Sequence, residues 1–387
     1  MQRNGGSRGE ASAREYCNDR SPNTVGRERA SSSCQHWGPA DVGRGWGPLW
    51  FGNLSTPLED FGASALPAKG DERGAKKAIL MSDGADNEPW PSLVYDEWKD
   101  TLATLHLWLQ IAGKVRLRQG PHLNHYWEAT FYVTPRGLTT SPIPYRDLRT
   151  FAIDFDFIDH RLDVHDSDGG LESFALTAMS VADFYAKLMA ALCHLSIDVA
   201  IYKKPNEIAE AIPFDEDEKH ASYDAAYVHR FWRVLLQADR LFKIFRARFN
   251  GKASPVHFFW GAPDLAVSRF SGRKAPPHPG GFPNMPDAAT RDAYSHEVSS
   301  AGFWAGGGGH EAAFYSYAYP SPEGFDRAAV QPKAAYWDSQ LREFVLPYEA
   351  VRASNARDGS VFSFLQSTYD AAASLGRWNL EGATAIP

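Results

Sequence analysis

The pattern that most constrains the fold is a helix followed by strand-like segments, and the chain contains it twice. The first helix is expected from about Ser92 to Ala112, where apolar residues recur at steps of three and four. Runs rich in aromatic and β-branched residues follow from Tyr126 to Thr134 and from Phe151 to Phe157. A second helix begins after Ser180, which has the side chain of a helix cap, and a strand is expected from Asp198 to Tyr202. This order predicts an antiparallel meander with helices packed on it.

The second unit repeats the order. Its helix, from about 223 to 249, has the clearest apolar stripe in the chain. Strands are then expected at 256–260, 265–270, 296–304, 314–319 and 344–346, and a last helix runs from about Ser360 to Leu375. Both units also begin their first strand with a similar word, HYW at 125–127 and HFFW at 257–260. We interpret this likeness as an ancient duplication, with an insertion in the second half from about 272 to 312.

The predicted fold class is therefore α+β, made of duplicated units of helix, antiparallel sheet and helix, with the helices packed on the sheet. The first half is expected at 89–213 and the second at 214–378. Residues 1–80 show neither period and are rich in Gly, Ser, Arg and Pro. They are expected to be either a disordered extension or a mis-annotated start that precedes a natural start at Met81.

Charge and composition exclude several classes of partner. The formal net charge is -7, and the excess of acid lies in the part expected to fold, which is a poor match to a phosphate backbone. No apolar run approaches the roughly 20 residues of a membrane span, and the N-terminus lacks the pattern of a signal peptide. Three cysteines are too few for a disulfide framework. A cytoplasmic protein with no nucleic-acid and no membrane partner is expected.

Four longer motifs carry a resemblance. They are NHYWEATFYVTPRGLTTSPIP at 124–144, SPVHFFWG at 254–261, RFSGRKAPPHPG at 269–280 and YSHEVSSAGFW at 294–304. Together they resemble an uncharacterised bacterial family of unknown function, over roughly Pro89 to Trp378. The resemblance implies the extent of the folded part, and it implies no reaction, cofactor or catalytic residue.

Imidazole and carboxylate side chains near strand ends are the candidates for catalysis, because they move protons near neutral pH and bind divalent metals. The catalytic candidates are His125, His257, His296, Glu297, Asp154 and Asp156. Asp154 and Asp156 alternate with two phenylalanines, so strand periodicity puts both carboxylates on one face. That face is either a site for acid–base or metal chemistry or the solvated side of a half-buried sheet. For each histidine, a structural role at a sheet edge or helix end is the alternative.

Guanidinium groups beside Ser, Thr and Gly are candidates for holding an anion, because they bind carboxylate or phosphate in bidentate fashion. The ligand-binding candidates are Arg136, Thr139, Arg269, Arg273, Trp127 and Trp260. The alternative for the arginines is a set of salt bridges that fix long loops. In a duplicated fold, we expect His125 or His257 to line the main pocket, with Arg136, Arg269 or His296 nearby.

These residues favour an enzyme with a pocket lined by His, Asp and Arg for a small anionic molecule, with or without the help of a metal ion. The alternative is a non-catalytic small-ligand-binding or protein-interaction module. No HExxH, GxSxG or dinucleotide fingerprint occurs in the part expected to fold. The sequence therefore leaves the cofactor, metal dependence, substrate, reaction class and oligomeric state open.

Overall fold

The computed structural model describes residues 88–379, apart from residue 147. The segment 1–80, for which either disorder or a mis-annotated start is expected, lies outside the described residues. Within the described part, no helix combines the length and the apolar character needed to cross a membrane.

Helices and strands follow the predicted order. The helices are α1 (Tyr95–Gln119), α2 (Val181–His194), α3 (Ala225–Ala247), α4 (Asp287–Ala293), α5 (Tyr348–Arg352) and α6 (Arg357–Leu375). The strands of the first half are β1 (Thr130–Thr134), β2 (Gly137–Thr139), β3 (Ile143–Tyr145), β4 (Arg149–Asp156), β5 (Arg161–Asp166) and β6 (Leu171–Ala175). Those of the second half are β7 (His257–Phe259), β8 (Asp264–Lys274), β9 (His296–Trp304), β10 (Ala313–Tyr319), β11 (Tyr336–Asp338) and β12 (Glu343–Pro347).

These strands form a single antiparallel sheet. Its order is β11-β12-β10-β9-β8-β7-β1-β2-β4-β5-β6, and β3 pairs with β4. The first strands of the two halves, β1 and β7, pair at the centre, where Phe131 lies opposite Phe258. From this pair the strands of the two halves run outward in opposite directions, in chain order except that β12 lies between β10 and β11 and that β3 is off the path, so the halves share one sheet. The duplication itself stays a prediction.

The long helices cover one face of the sheet. α1 contacts both α2 and α3, and α3 contacts α6, so the helix layer follows the order of the strands beneath it. Aromatic rings join the layers: Phe231 of α3 contacts Phe258 with ring centroids 6.3 Å apart, and Phe242 of α3 contacts Phe314 at 6.2 Å. Each such buried ring contributes roughly 1.5–3 kcal/mol through removal of apolar surface from water. The α+β class with helices packed on the sheet is confirmed.

Local helix signals are also confirmed, while one predicted strand is wrong. The Ser180 hydroxyl caps α2 by accepting a hydrogen bond from the Asp183 amide at 3.1 Å. The segment 198–202 forms no ladder with another strand. Its Asp198 amide instead donates to the Tyr145 hydroxyl at 2.8 Å. A side chain thus satisfies the backbone group that a neighbouring strand was expected to satisfy.

The word HYW does not begin a strand. Residues 124–126 form a turn of 3₁₀-helix, in which His125 has a positive φ of 65°, and β1 begins only at Thr130. HFFW, by contrast, does coincide with a strand, since β7 begins at His257. The likeness of the two words therefore does not mark equivalent strand starts.

Candidate functional site

The face of the sheet opposite the helices is the floor of a cavity of about 540 Å³. Alternate residues of a strand share one face, so polar side chains of several strands point into the same space. They include Asp264 and Ser268 of β8, Ser300 of β9, Tyr315 and Tyr317 of β10, and Glu343 of β12. A cavity of this volume suits a small organic molecule.

Three segments close the cavity from the other side: residues 125–129, residues 206–207 and residues from 282 to 294 that contain α4. Gln110, a buried residue of α1, fixes the second segment, because its amide accepts from Asn206 N at 2.8 Å and donates to Asn206 O at 2.9 Å. The Asn206 side chain donates in turn to Asn284 O at 2.7 Å. The helix layer thus holds the cover of the cavity in place.

The same layer positions the indole wall of the cavity. Trp260 packs against Gly113 of α1 so closely that a Cβ there would overlap the indole. His106, also on α1, lies with Nε2 2.8 Å from the Gly261 carbonyl. Burial lowers the pKa of His106 to about 4, so the neutral ring donates to that carbonyl near neutral pH.

His125 lies where the 3₁₀ turn meets α4. Its ring stacks on Phe270 with centroids 4.7 Å apart. Nδ1 is 3.1 Å from the Ala293 carbonyl, and Nε2 is 2.7 Å from the Lys252 ammonium. A carbonyl only accepts and an ammonium only donates, so the neutral ring carries its proton on Nδ1. Burial and the Lys252 charge lower its pKa, and the ring joins the turn to α4 through Nδ1 and to Lys252, in the segment between α3 and β7, through Nε2.

Three carboxyl groups give the cavity its electrostatic character. Burial raises the pKa of Asp264 to about 7, and the charge of Glu207 acts in the same direction. Burial followed by the charge of Asp264 raises the pKa of Glu343 to about 8, and burial raises that of Glu207. The described lining contains no Lys or Arg. Near neutral pH Asp264 and Glu343 are therefore only partly ionised, and a cation beside them would favour their ionised form.

Hydroxyl groups form a chain across the floor. The hydroxyls of Tyr294 and Tyr317 are 3.1 Å apart, Ser300 lies opposite Tyr317 in the ladder of β9 and β10, and the Ser300 and Ser268 oxygens are 2.9 Å apart. These hydroxyls form a row from the end of α4 to β8. Each of them can donate one proton and accept others. Thr290, one turn earlier on α4, is 2% exposed and its hydroxyl lacks a partner among the described residues.

Of the predicted site residues, the structure brings His125, Trp127 and Trp260 to this cavity. His296 contacts the His125 ring at 5.4 Å. His257 is buried next to the Trp127 ring, with centroids 5.5 Å apart, and its Nδ1 has no described partner. Burial, followed by the charges of nearby arginines, lowers the pKa of His257 to about 3. It is therefore a neutral residue of the core.

The other predicted residues of the first half hold turns and strand pairs instead of a site. Asp156 accepts from Arg136 Nε at 2.6 Å and from the amides of Ile158 and Asp159 at 2.9 and 3.0 Å. Asp154 pairs with exposed His165 at 2.8 Å. Thr139 accepts from the Ser141 amide at 2.9 Å. These contacts match the structural alternative, and they lie on the strands of the other half of the sheet.

The two remaining arginines contact residues outside the cavity. Arg269 is buried on the helix side of β8, with its guanidinium 3.4 Å from the Phe245 ring centroid and 4.3 Å from that of Tyr369. It donates to the Phe245 carbonyl. Arg273 contacts Glu297 at 2.7 Å and donates to the Gly376 carbonyl at 2.6 Å, which ties β8 to the end of α6. The arginines therefore do not converge on an anion.

The residues that distinguish the cavity were missed from the sequence. They are Glu207, Asp264, Tyr294, Tyr315, Tyr317 and Glu343. One signal was available, because FYSYAY at 314–319 places tyrosines at every second position and so on one face of a strand. The acids gave no such signal, since they lie far apart in the chain.

A second depression, of about 630 Å³, lies on the surface near the N-terminus of α6. Two of its charged residues, Arg240 and Asp358, form an exposed ion pair at 2.7 Å. It lacks the enclosed aromatic walls of the first cavity, so we regard the first as the candidate site.

No three His, Cys, Asp or Glu residues in the described part of the chain lie close enough together to hold a metal ion. The metal-assisted form of the predicted enzyme therefore finds no ligand set among residues 88–379, with residue 147 left aside.

Comparison with known proteins gives one match. A model described as a family of unknown function (DUF5996) matches residues 90–385. No curated protein matches the chain, and neither does any solved structure.

Proposed function

The chain belongs to DUF5996, and we propose that it binds a small organic molecule in the cavity between the floor of β8, β9 and β10 and the cover around α4. The observation that carries the proposal is an enclosed space of about 540 Å³ with aromatic walls and convergent carboxyl and hydroxyl groups. Aromatic walls supply most of the binding energy of such sites, and a few polar groups fix the orientation of the ligand.

The enzyme for a small anion that the sequence favoured has less support. Arg136, Arg269 and Arg273 are bound elsewhere, and the carboxyls of the described lining repel negative charge. The alternative of a non-catalytic binding module agrees better with this lining, and we adopt it for the protein.

One observation keeps catalysis as a second candidate. The Tyr315 hydroxyl donates to Asp264 Oδ2 inside the cavity, and the pKa of Asp264, raised by burial to about 7, suits proton transfer near neutral pH. An enzyme of this kind would act on an uncharged or basic molecule. Incubation of each bound molecule with the protein, followed by NMR of the products, separates the two candidates: turnover that Asp264→Asn abolishes would favour the enzyme.

The test of binding itself is a screen of small organic molecules by ligand-observed NMR. Ala266 lies on the floor, so Ala266→Phe fills the cavity with a ring. Ala175, on the exposed strand β6, provides the control variant Ala175→Phe. We expect molecules that bind the wild-type protein and the control but not the filled variant.

Hits that bind Ala266→Phe undiminished would contradict the proposal. If that variant fails to fold by circular dichroism, Ala289→Phe fills the same space from the cover, since Ala289 is a buried residue of α4 that lines the cavity.

A further inference from the structure

We infer that the molecule held in this cavity carries a protonated primary or secondary amine, which binds beside the carboxyls of Glu207, Asp264 and Glu343, while its apolar part lies against the aromatic wall. The inference rests on the proposed function and names the chemical class of the ligand. Three steps lead to it.

The first step is the balance of charge. The three acids come from different segments, one in the chain between α2 and α3, one at the start of β8 and one at the start of β12, and all line the same cavity. The charge of Glu207 raises the pKa of Asp264, and the charge of Asp264 raises the pKa of Glu343. No Lys or Arg is among the described lining residues, and the Lys252 ammonium next to the lining is bound to His125 Nε2, so the described lining itself offers the acids no counter-charge. A cationic ligand supplies it.

The second step is a polar group that the fold leaves unsatisfied. Buried hydroxyls in native proteins are nearly always hydrogen-bonded. The Thr290 hydroxyl is buried in the cover and lines the cavity, yet it has no partner in the described part of the chain. It is independent of the acids, since it belongs to α4 and not to the floor. A polar group of a bound molecule completes its hydrogen bonding.

The third step is the kind of cation. Carboxylate oxygens accept hydrogen bonds, and an ammonium group carries up to three donors, whereas a quaternary ammonium has none. A divalent metal lacks a set of three close ligands in the described residues. The rings of Tyr315 and Tyr317, stacked at 6.2 Å, add the negative faces that attract organic cations. A protonated amine on an aromatic or aliphatic body satisfies all of these groups.

Four probes with one ring system and different charges test the inference. They are phenethylamine, phenethyl alcohol, hydrocinnamate and phenethyltrimethylammonium, and their affinities are measured by calorimetry at neutral pH on the full chain. We expect the amine to bind at least about tenfold more tightly than the alcohol, with the quaternary ion between them and the carboxylate weakest.

A charge variant adds a second arm. Glu343→Gln keeps the shape of the side chain and removes its charge, so it should weaken the amine on the order of 30-fold and leave the alcohol unchanged. Glu172→Gln, on the exposed strand β6, is the matched control and should change neither. If Glu343→Gln does not fold, Glu207→Gln takes its place.

The outcomes distinguish failure of the amine inference from failure of the proposed function. An alcohol or carboxylate that binds as tightly as the amine, with binding lost in Ala266→Phe, would overturn the amine inference and leave the cavity as a binding site. If none of the four probes binds in a way that Ala266→Phe abolishes, both the inference and the proposed function fail.

Discussion

The ring of Tyr315 lies across the backbone of Gly302, its partner on β9. This placement carries the Tyr315 hydroxyl over β9 to the Asp264 carboxylate on β8. A Cβ at position 302 would overlap the tyrosine ring and would also come within 2.5 Å of the Leu265 carbonyl oxygen. The floor of the cavity can therefore form because Gly302 has no side chain.

Replacement of Gly302 by alanine should destabilise the protein by about 1–3 kcal/mol, the usual cost of overpacking a core, and should weaken binding in the cavity. Chemical denaturation measures the first effect and calorimetry the second. The control is Gly359→Ala on the exposed side of α6, where the nearest atom to a new Cβ is 3.8 Å away. That change should stabilise the helix by up to about 1 kcal/mol. Equal stability of the Gly302→Ala variant and the wild type would refute the crossing of Tyr315.

Asp264 should make the protein less stable as the pH rises. Its pKa is raised by burial from 3.8 to about 7, so between these values the native state keeps a proton that the unfolded chain has released. Its contribution to the free energy of unfolding is therefore lost as the pH rises from about 4 to 7. Asp264→Asn should reduce the slope of the free energy of unfolding against pH by up to about 1.4 kcal/mol per pH unit.

Urea denaturation across this pH range measures the difference between Asp264→Asn and the wild type. Glu172→Gln, which removes an exposed carboxyl from β6, controls for the change in net charge. Parallel curves for the wild type and Asp264→Asn would show that the carboxyl does not hold the proton.

His257 should make the protein less stable as the pH falls. The unfolded chain takes up a proton on this residue below about pH 6.5, but burial and neighbouring arginines lower its native pKa to about 3. Stability is therefore lost as the pH falls below 6.5. His257→Gln cannot titrate, so it should lose less stability on acidification than the wild type, although at neutral pH it costs about 1–3 kcal/mol.

Acid titrations of the circular dichroism signal test this, with His194→Gln as the control because its imidazole is 58% exposed. Binding of cavity ligands should survive His257→Gln at neutral pH. Lost binding with full stability would return His257 to the functional role that the sequence suggested.

Arg269 should matter for stability and not for binding. Its guanidinium is held between Phe245 and Tyr369, so Arg269→Ala removes a cation–π stack and leaves a gap on the helix side of the sheet. We expect a loss of more than about 2 kcal/mol in urea denaturation. Arg161→Ala, which breaks an exposed pair with Asp163 at 2.9 Å, should cost less than about 1 kcal/mol. Weaker ligand binding by a fully stable Arg269→Ala variant would contradict this assignment.

Periodicity predicted the local elements because it is a local property. The helix expected at 223–249 and the strand expected at 296–304 lie within a few residues of the observed bounds of α3 and β9. The strand expected at 198–202 has no ladder partner, and its Asp198 amide donates to a tyrosine hydroxyl instead. Pairing partners such as this one are set by tertiary structure, which the pattern of one segment does not contain.

The site was predictable only in part, for a related reason. His125, Trp127 and Trp260 stood out as residue types and do line the cavity. Arg269 stood out equally, yet it has the opposite strand parity from Asp264 and therefore faces the helices. Parity along β8 would have separated the two residues. The meeting of acids from three distant segments depends on the order of the strands, which residue type does not reveal.

The hydrogen bond from the Asn206 side chain to the Asn284 carbonyl links the two halves of the chain in a way that selection would register, and Gln110 supports Asn206 from α1. The floor of the cavity comes from residues after 213, whereas residues 125–129 and 206–207, which complete its walls, come before it. A polypeptide with only the second half would leave the Asp264 floor open to water. Gln110 contacts only backbone atoms of residue 206, whereas the Asn206 side chain makes the contact to Asn284, so descendants that keep the same ligand should conserve Gln110 and Asn206 independently of each other.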